Sequence, residues 1–297
     1  MPATPDPVLP DSPLAPLVGS WRLLSTTATF TDNGERIETF GPNPSGRMVL
    51  TPGGRITFLI ARSNRQPPAS DAERAALFNG MISYTGVVRP GGAGQFITAV
   101  DVSLIPSEVG TEKLRLFKVD GDRLTIRLPE QISRFGSGRM SVSELTWVRE
   151  PPIPRPDVAV LLGSWRLVSM GITFSDTKER IEPRGSDPSG RMVLDASGRI
   201  MFLFTKPNRE MPATDAERAT LFDELTSYTG LIRLNDPGSF ITAVDVAANP
   251  AWGGDQLRLF AIDGDRLIIG TRPQAVPQFP GRLIVGDVVF EREPITS

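Results

Sequence analysis

The chain repeats itself. Gly19-Ser20-Trp21-Arg22-Leu23 returns as Gly163-Ser164-Trp165-Arg166-Leu167, and Pro44-Ser45-Gly46-Arg47-Met48-Val49-Leu50 returns as Pro188-Ser189-Gly190-Arg191-Met192-Val193-Leu194. Asp71-Ala72-Glu73-Arg74, Ser83-Tyr84-Thr85-Gly86 and Phe96-Ile97-Thr98-Ala99-Val100-Asp101-Val102 each recur at the same offset. After a one-residue deletion, Asp120-Gly121-Asp122-Arg123-Leu124 returns as Asp263-Gly264-Asp265-Arg266-Leu267. The unit is about 135 residues long, the size of a domain rather than of a solenoid repeat. Whatever fold one half adopts, the other must adopt as well. The expected organisation is a disordered Pro-rich arm over 1–15, a first unit over 16–150, a Pro-rich linker over 151–160 and a second unit over 161–297. The joint holds four prolines between Glu150 and Asp157. Such a spacer is short and stiff, and it favours a fixed arrangement of the units, most simply a pseudo-two-fold pair packed like a homodimer.

Within one unit the periodicity is that of strands. Ile56, Phe58 and Ile60 alternate with Arg55, Thr57 and Leu59, and Pro52-Gly53-Gly54 joins this run to Arg47-Met48-Val49-Leu50 as a hairpin. Asp120-Gly121-Asp122 supplies the positive-φ positions of a second hairpin. Ser70-Asp71-Ala72-Glu73 and Thr214-Asp215-Ala216-Glu217 fit capping boxes, so one short helix is expected in each unit, ending near Asn79 in the first. About eight strands in a continuous meander predict an all-β fold: two tandem eight-stranded antiparallel barrels, each with one short helix. A barrel of about eight strands is either filled by side chains or holds one small ligand.

Composition removes many chemistries. There is no cysteine and no histidine, which excludes disulfides, cysteine nucleophiles, Cys/His zinc sites and the Ser-His-Asp triad. A metal site would need oxygen ligands alone, and none is expected. Lys+Arg 32 against Asp+Glu 34 leaves a net charge of -2, with no electrostatic footprint for nucleic acid. No phosphate-binding glycine motif opens a helix, so no cofactor is expected. No apolar run is long enough to cross a membrane, and the N-terminus lacks the basic and apolar regions of a signal peptide. The expected compartment is cytoplasmic, without membrane insertion.

The segments Leu17-Val18-Gly19-Ser20-Trp21-Arg22-Leu23, Phe40-Gly41-Pro42-Asn43-Pro44-Ser45-Gly46 and Leu145-Thr146-Trp147-Val148-Arg149 resemble the bacterial and fungal lipocalin-like domain family. Gly-x-Trp on a first strand and an arginine on the last is the calycin signature, and it occurs twice. The resemblance implies barrels closed at one end by Trp21 under Arg149 and by Trp165 under Arg292. The second unit ends Val289-Phe290-Glu291-Arg292, with Phe290 where the first has Trp147. In this family the short helix can lie at the open mouth as a lid. Phe78, Met81 and Phe222 would then touch a ligand; the alternative is ordinary helix packing.

Several residues are candidates for chemistry. Tyr84 and Tyr228 are the only tyrosines and share one strand motif. Each reads as a weak acid inside its barrel or as a core tyrosine. Asp101 and Asp245 interrupt apolar strands; pointing inward they would be general bases with raised pKa, and pointing outward they would be partners for arginine. Arg127 interrupts another apolar run, as a ligand-carboxylate partner or as a rim ion pair. Phe58, Ile60, Phe204 and Trp252 are expected among the ligand contacts. Thr26, Ala28, Thr57 and Ile60 correspond to Met170, Ile172, Met201 and Phe204, so the first barrel is expected to be the roomier one. The expected function is to bind a small, largely apolar molecule and to act on it as a cofactor-independent isomerase, cyclase or lyase of natural-product type. Tandem folds of this kind occur among natural-product cyclases. The alternatives are a non-catalytic carrier and a protein-interaction module.

Overall fold

The computed structural model describes residues 12–135, 138–152, 156–276 and 279–294. Most of the expected arm over 1–15, and residues 153–155 of the expected linker, lie outside the described residues. The end of that arm is packed: Leu14 is fully buried, and Ala15–Leu17 forms a single 3-10 turn beneath the first barrel.

The first unit contains β1 Gly19–Phe30, β2 Arg36–Glu38, β3 Ser45–Leu50, β4 Arg55–Ala61, α1 Asp71–Asn79, β5 Met81–Gly92, β6 Gln95–Ser103, β7 Glu112–Asp120, β8 Arg123–Arg127, β9 Gln131–Ile132 and β10 Met140–Arg149. The second contains β11 Gly163–Phe174, β12 Arg180–Ile181, β13 Ser189–Leu194, β14 Arg199–Thr205, α2 Asp215–Asp223, β15 Thr226–Leu234, β16 Ser239–Ala247, β17 Gly254–Asp263, β18 Arg266–Gly270, β19 Gln274–Ala275 and β20 Leu283–Arg292. In each unit eight antiparallel strands close on themselves, β1 onto β10 and β11 onto β20. The very short β2, β9, β12 and β19 extend the ladder beside the closing strands. Both capping boxes are formed, by Ser70 with Glu73 and by Thr214 with Glu217. No helix among the described residues is long and apolar enough to cross a membrane.

Strand alternation sends Trp21, Leu23, Met48, Phe58, Ile60, Leu124, Ile126 and Trp147 into one barrel core. At the floor, the indole of Trp21 donates to the Leu17 carbonyl, and the Arg149 guanidinium lies 4.1 Å over the ring. Arg149 also donates to the Val18 and Pro16 carbonyls. Trp165 and Arg292 repeat the arrangement with Leu161, Leu162 and Val160. Register shifts at Thr85/Gly86 and Thr229/Gly230 bend β5 and β15. A Cβ on Gly86 would lie 2.3 Å from the Ala99 carbonyl oxygen, so the bend requires glycine there.

Strands β4 and β14 are buried along their whole length, on both faces. One face lines its own barrel and the other meets the second barrel, which is why Arg55–Ala61 reads as a near-continuous apolar run. Val49, Leu59, Val193, Met201 and Val246 form an apolar seam between the units. Thr57 bonds Thr85 at 2.9 Å on that same outer face. The exchange of Thr57 for Met201 therefore adjusts the seam and leaves the pocket volume untouched, because alternation turns both residues away from the barrel interior.

The two units are related by a pseudo-two-fold axis. Ser83 and Ser227 bond each other at 2.8 Å, and these residues are copies of one another in the repeat. Asp101 is held by Arg55 of its own barrel and Arg191 of the other, and both arginines also bind Glu293. The mirror cluster joins Asp245 and Glu150 to Arg199 and Arg47. Each contact occurring twice, with the roles exchanged, is the mark of an isologous interface.

Candidate functional site

The open end of the first barrel encloses a cavity of about 410 Å³. Its inner wall is built from β1, β5, β7 and β10, which contribute Thr26, Ile82, Tyr84, Lys113, Arg115 and Leu145. Leu128, Pro129, Arg134 and Phe135, from the chain between β8 and β10, shape the rim. That volume suits a small ligand.

Tyr84 sits on β5, tilted against Phe58 with ring centroids 4.8 Å apart. Burial pushes its phenol pKa up, while the nearby Arg115 cation partly opposes the shift. The phenol is therefore a neutral donor throughout the physiological range. Lys113 lies 5.6 Å from the centre of the same ring. Glu108, at the end of the 3-10 turn Pro106–Glu108, accepts from Lys113 at 2.8 Å and from the Ser103 hydroxyl at 2.7 Å. Arg134 donates to the Met81 and Asn79 carbonyls. Deeper in this barrel core, Thr98 Oγ1 and Trp147 Nε1 are buried without a hydrogen-bond partner among the described residues.

The second barrel carries the same tyrosine in a different setting. Trp252 stands in the position of Glu108 and meets Tyr228 edge-on, with centroids 6.5 Å apart. Gln256 replaces Lys113 and accepts from Arg258, the counterpart of Arg115, at 3.2 Å. Met170 and Phe204 pack in this core where the first barrel has Thr26 and Ile60. The mouth of the first barrel carries Glu108 and Lys113, whereas the second has Trp252 and Gln256 in their places and keeps only the arginine, Arg258.

Other candidates lie elsewhere. Phe58 and Ile60 belong to the first barrel core beneath the cavity, and Phe204 and Trp252 to the second. Asp101 and Asp245 point outward into the ion clusters between the barrels, far from any contact with either tyrosine. Alternation with the inward Phe96, Thr98 and Val100 forces that direction. Arg127 is exposed on the outer face, opposite Glu144 in the ladder. It lines an external groove of about 440 Å³ with Thr29 and Arg36. Phe78, Met81 and Phe222 do not form a lid. The two helices pack on each other, and these residues join Leu77, Leu221 and Leu225 in an apolar cluster shared by both units. Each helix offers one apolar stripe, and the other copy supplies the surface that covers it.

Lys113, Arg115, Glu108 and Arg134 were missed at the level of sequence. Lys113, Arg115, Phe117 and Val119 share one face of β7, so the two cations are on the barrel side with the two core residues. Leu114 and Leu116, on the opposite face of β7, are each 37% exposed.

A family model described as the lipocalin-like domain matches residues 18–150 and again 162–282. The chain belongs to the lipocalin-like domain family. The first lipocalin-like match spans its whole barrel, the second covers its barrel up to the start of β20, and eight-stranded barrels of this size are an architecture that accommodates small molecules. No curated protein matches. Two solved structures align over most of the chain. A protein of unknown function from Nostoc punctiforme, of the DUF3598 family, is 16% identical, with 95% of this chain and 98% of that one covered and a TM-score of 0.26. A Trp-176-Ala mutant of transferrin binding protein B from Haemophilus parasuis is 7% identical, with 92% and 76% covered and a TM-score of 0.25. Likenesses this distant carry no functional argument.

Proposed function

We propose that the first lipocalin-like barrel binds a small, largely apolar molecule and acts on it as a cofactor-independent isomerase, cyclase or lyase. The observation that carries this reading is the placement of a neutral phenol, Tyr84, on the wall of a cavity whose mouth also presents a carboxylate, Glu108. Tyr84 is suited to donate a hydrogen bond to a ligand oxygen on which negative charge develops. Glu108 is suited to take a proton from a neighbouring carbon and return it elsewhere, with Lys113 and Ser103 fixing its orientation. Phe40, Ile82, Leu128, Phe135 and Leu145 give the apolar part of the wall, against which one reactive conformer can be held.

The second reading is a carrier. It is favoured by the position of Asp101 and Asp245 in the ion clusters, where they have structural partners and do not approach either tyrosine. The test is to incubate sub-stoichiometric protein with a small-molecule extract of its source cells and follow the mixture by mass spectrometry. Conversion of one compound in many-fold excess over protein, reduced at least about tenfold by Tyr84→Phe in a folded variant, supports the enzyme. Retention of a compound unchanged, at one equivalent per chain, supports the carrier and removes the catalytic reading.

A further inference from the structure

We propose that the ligand of the first barrel carries a carboxylate or similar planar oxyanion, which Arg115 and Tyr84 hold at the mouth while the apolar body fills the cavity. The proposal rests on the reading of that barrel as a binding site and adds the chemical class of the ligand. The inner wall and rim present three cations, Lys113, Arg115 and Arg134, against one inward carboxylate, Glu108. Glu112 and Glu144 also border the cavity, but Glu112 pairs with Arg89 outside and Glu144 stands opposite Arg127 on the outer face. Glu108 is already bound by Lys113. Arg134 is engaged by two backbone carbonyls. Arg115 forms no ion pair among the described residues; it donates to the carbonyl of the adjacent Leu114 at 2.8 Å and lies against the Tyr84 hydroxyl. A half-buried guanidinium with free donors, beside a phenol that stays protonated, is a fork for two oxygens of one anion.

The second barrel is the internal control. Arg258 repeats Arg115, but the Gln256 amide oxygen occupies it, and the Trp252 ring stands where a ligand head would lie against Tyr228. Lys113 in the first barrel cannot engage Arg115 in that way, since two cations repel. The exchange of Gln for Lys therefore leaves the arginine available, and the exchange of Trp for Glu clears the space over the tyrosine.

Fluorescence titration with pyrenebutyrate and with its methyl ester tests the proposal on the full chain. The two probes share one apolar body and differ by one negative charge. Wild type is expected to bind the acid at least about tenfold more tightly than the ester, a preference that weakens with salt. Thr26→Met, which places in the first barrel the residue the second already carries, is expected to weaken both probes. Arg115→Gln is expected to weaken the acid at least about tenfold and leave the ester unchanged. Lys113→Gln, a residue the second barrel accommodates, is expected to lower the acid's affinity several-fold in the same sense and guards against misfolding of the Arg115 variant. If neither probe binds, or Thr26→Met leaves both unaffected, the cavity reading itself fails. If both bind, Thr26→Met weakens both and Arg115→Gln leaves the acid-to-ester ratio unchanged, the cavity stands and the oxyanion site is overturned.

Discussion

The hydroxyls of Ser83 and Ser227 meet at 2.8 Å, and each residue is the other's counterpart in the repeat. A residue that touches its own copy lies on the symmetry axis, so this bond marks the centre of the interface. On either side of it stand the two ion clusters, Arg55-Asp101-Arg191-Glu293 and Arg199-Asp245-Arg47-Glu150. A buried apolar seam runs between them.

Arg199 is the most buried of these arginines, with a side chain only 1% exposed. Its replacement by alanine strands two carboxylates near the seam. Loss of one partner of a fully buried pair costs about 3–5 kcal/mol. Here Asp245 keeps 35% of its side-chain exposure and Arg47 still reaches both acids. The expected loss is therefore about 2–3 kcal/mol, read by urea unfolding. Arg166→Ala, which breaks an exposed pair with Glu291, is expected to cost less than about 1 kcal/mol.

Tyr84 gives a pH signature. Its raised pKa means that the folded chain keeps the phenolic proton after the unfolded chain has released it, near the ordinary value of 10.0. The unfolded state then binds fewer protons, so stability is complete below that pH and falls as pH rises toward the folded pKa. In a Tyr228→Phe background the remaining tyrosinate absorbance is expected to rise only above pH 10, and Tyr84→Phe is expected to flatten this alkaline loss of stability. Titration of the single phenol at or below its ordinary value would contradict the burial argument.

Trp147→Phe is expected to be nearly neutral. The indole nitrogen of Trp147 is buried without a partner among the described residues, and the second barrel packs Phe290 at the same place. Removing an unsatisfied donor offsets part of the lost packing, so the change should stay below about 1.5 kcal/mol. A loss of more than twice that in thermal or urea unfolding would mean that the nitrogen has a partner in solution.

Gly86→Ala is expected to be the more damaging of two small changes on one strand. The added Cβ meets the backbone of Ala99 rather than the end of a flexible side chain. The expected cost is about 1–3 kcal/mol, with faster amide exchange at the β5–β6 bulge. Val87→Ala, one residue along and half-buried, should cost less.

Much of the fold was legible because it depends on short-range pattern. Alternation around Phe58, the Asp120-Gly121 turn, the capping boxes and the duplication all act over a few residues or repeat outright. Asp101 was legible only as lying on the face opposite Phe96, Thr98 and Val100; which face is the inner one, and that Arg191 reaches it from the other barrel, depend on contacts between distant segments. The helices show the same limit, since an apolar stripe carrying Phe78 fits a lid as well as it fits a second helix. The cavity chemistry was hidden for a different reason. On β7 the leucines occupy the exposed face and Lys113 and Arg115 the enclosed one, so a rule that turns leucine inward selects the wrong side.

The covalent link between the barrels has an evolutionary consequence. In a dimer of identical chains every substitution is written twice, and a residue that improves one pocket alters both. Here Glu108 and Trp252 occupy the same place in two copies of one barrel, and so do Lys113 and Gln256. Joined in one chain, one copy is free to keep an open, charged mouth while the other fills its own and serves as a brace. The interface around Ser83 and Ser227 keeps the memory of symmetry, and the two mouths record its loss.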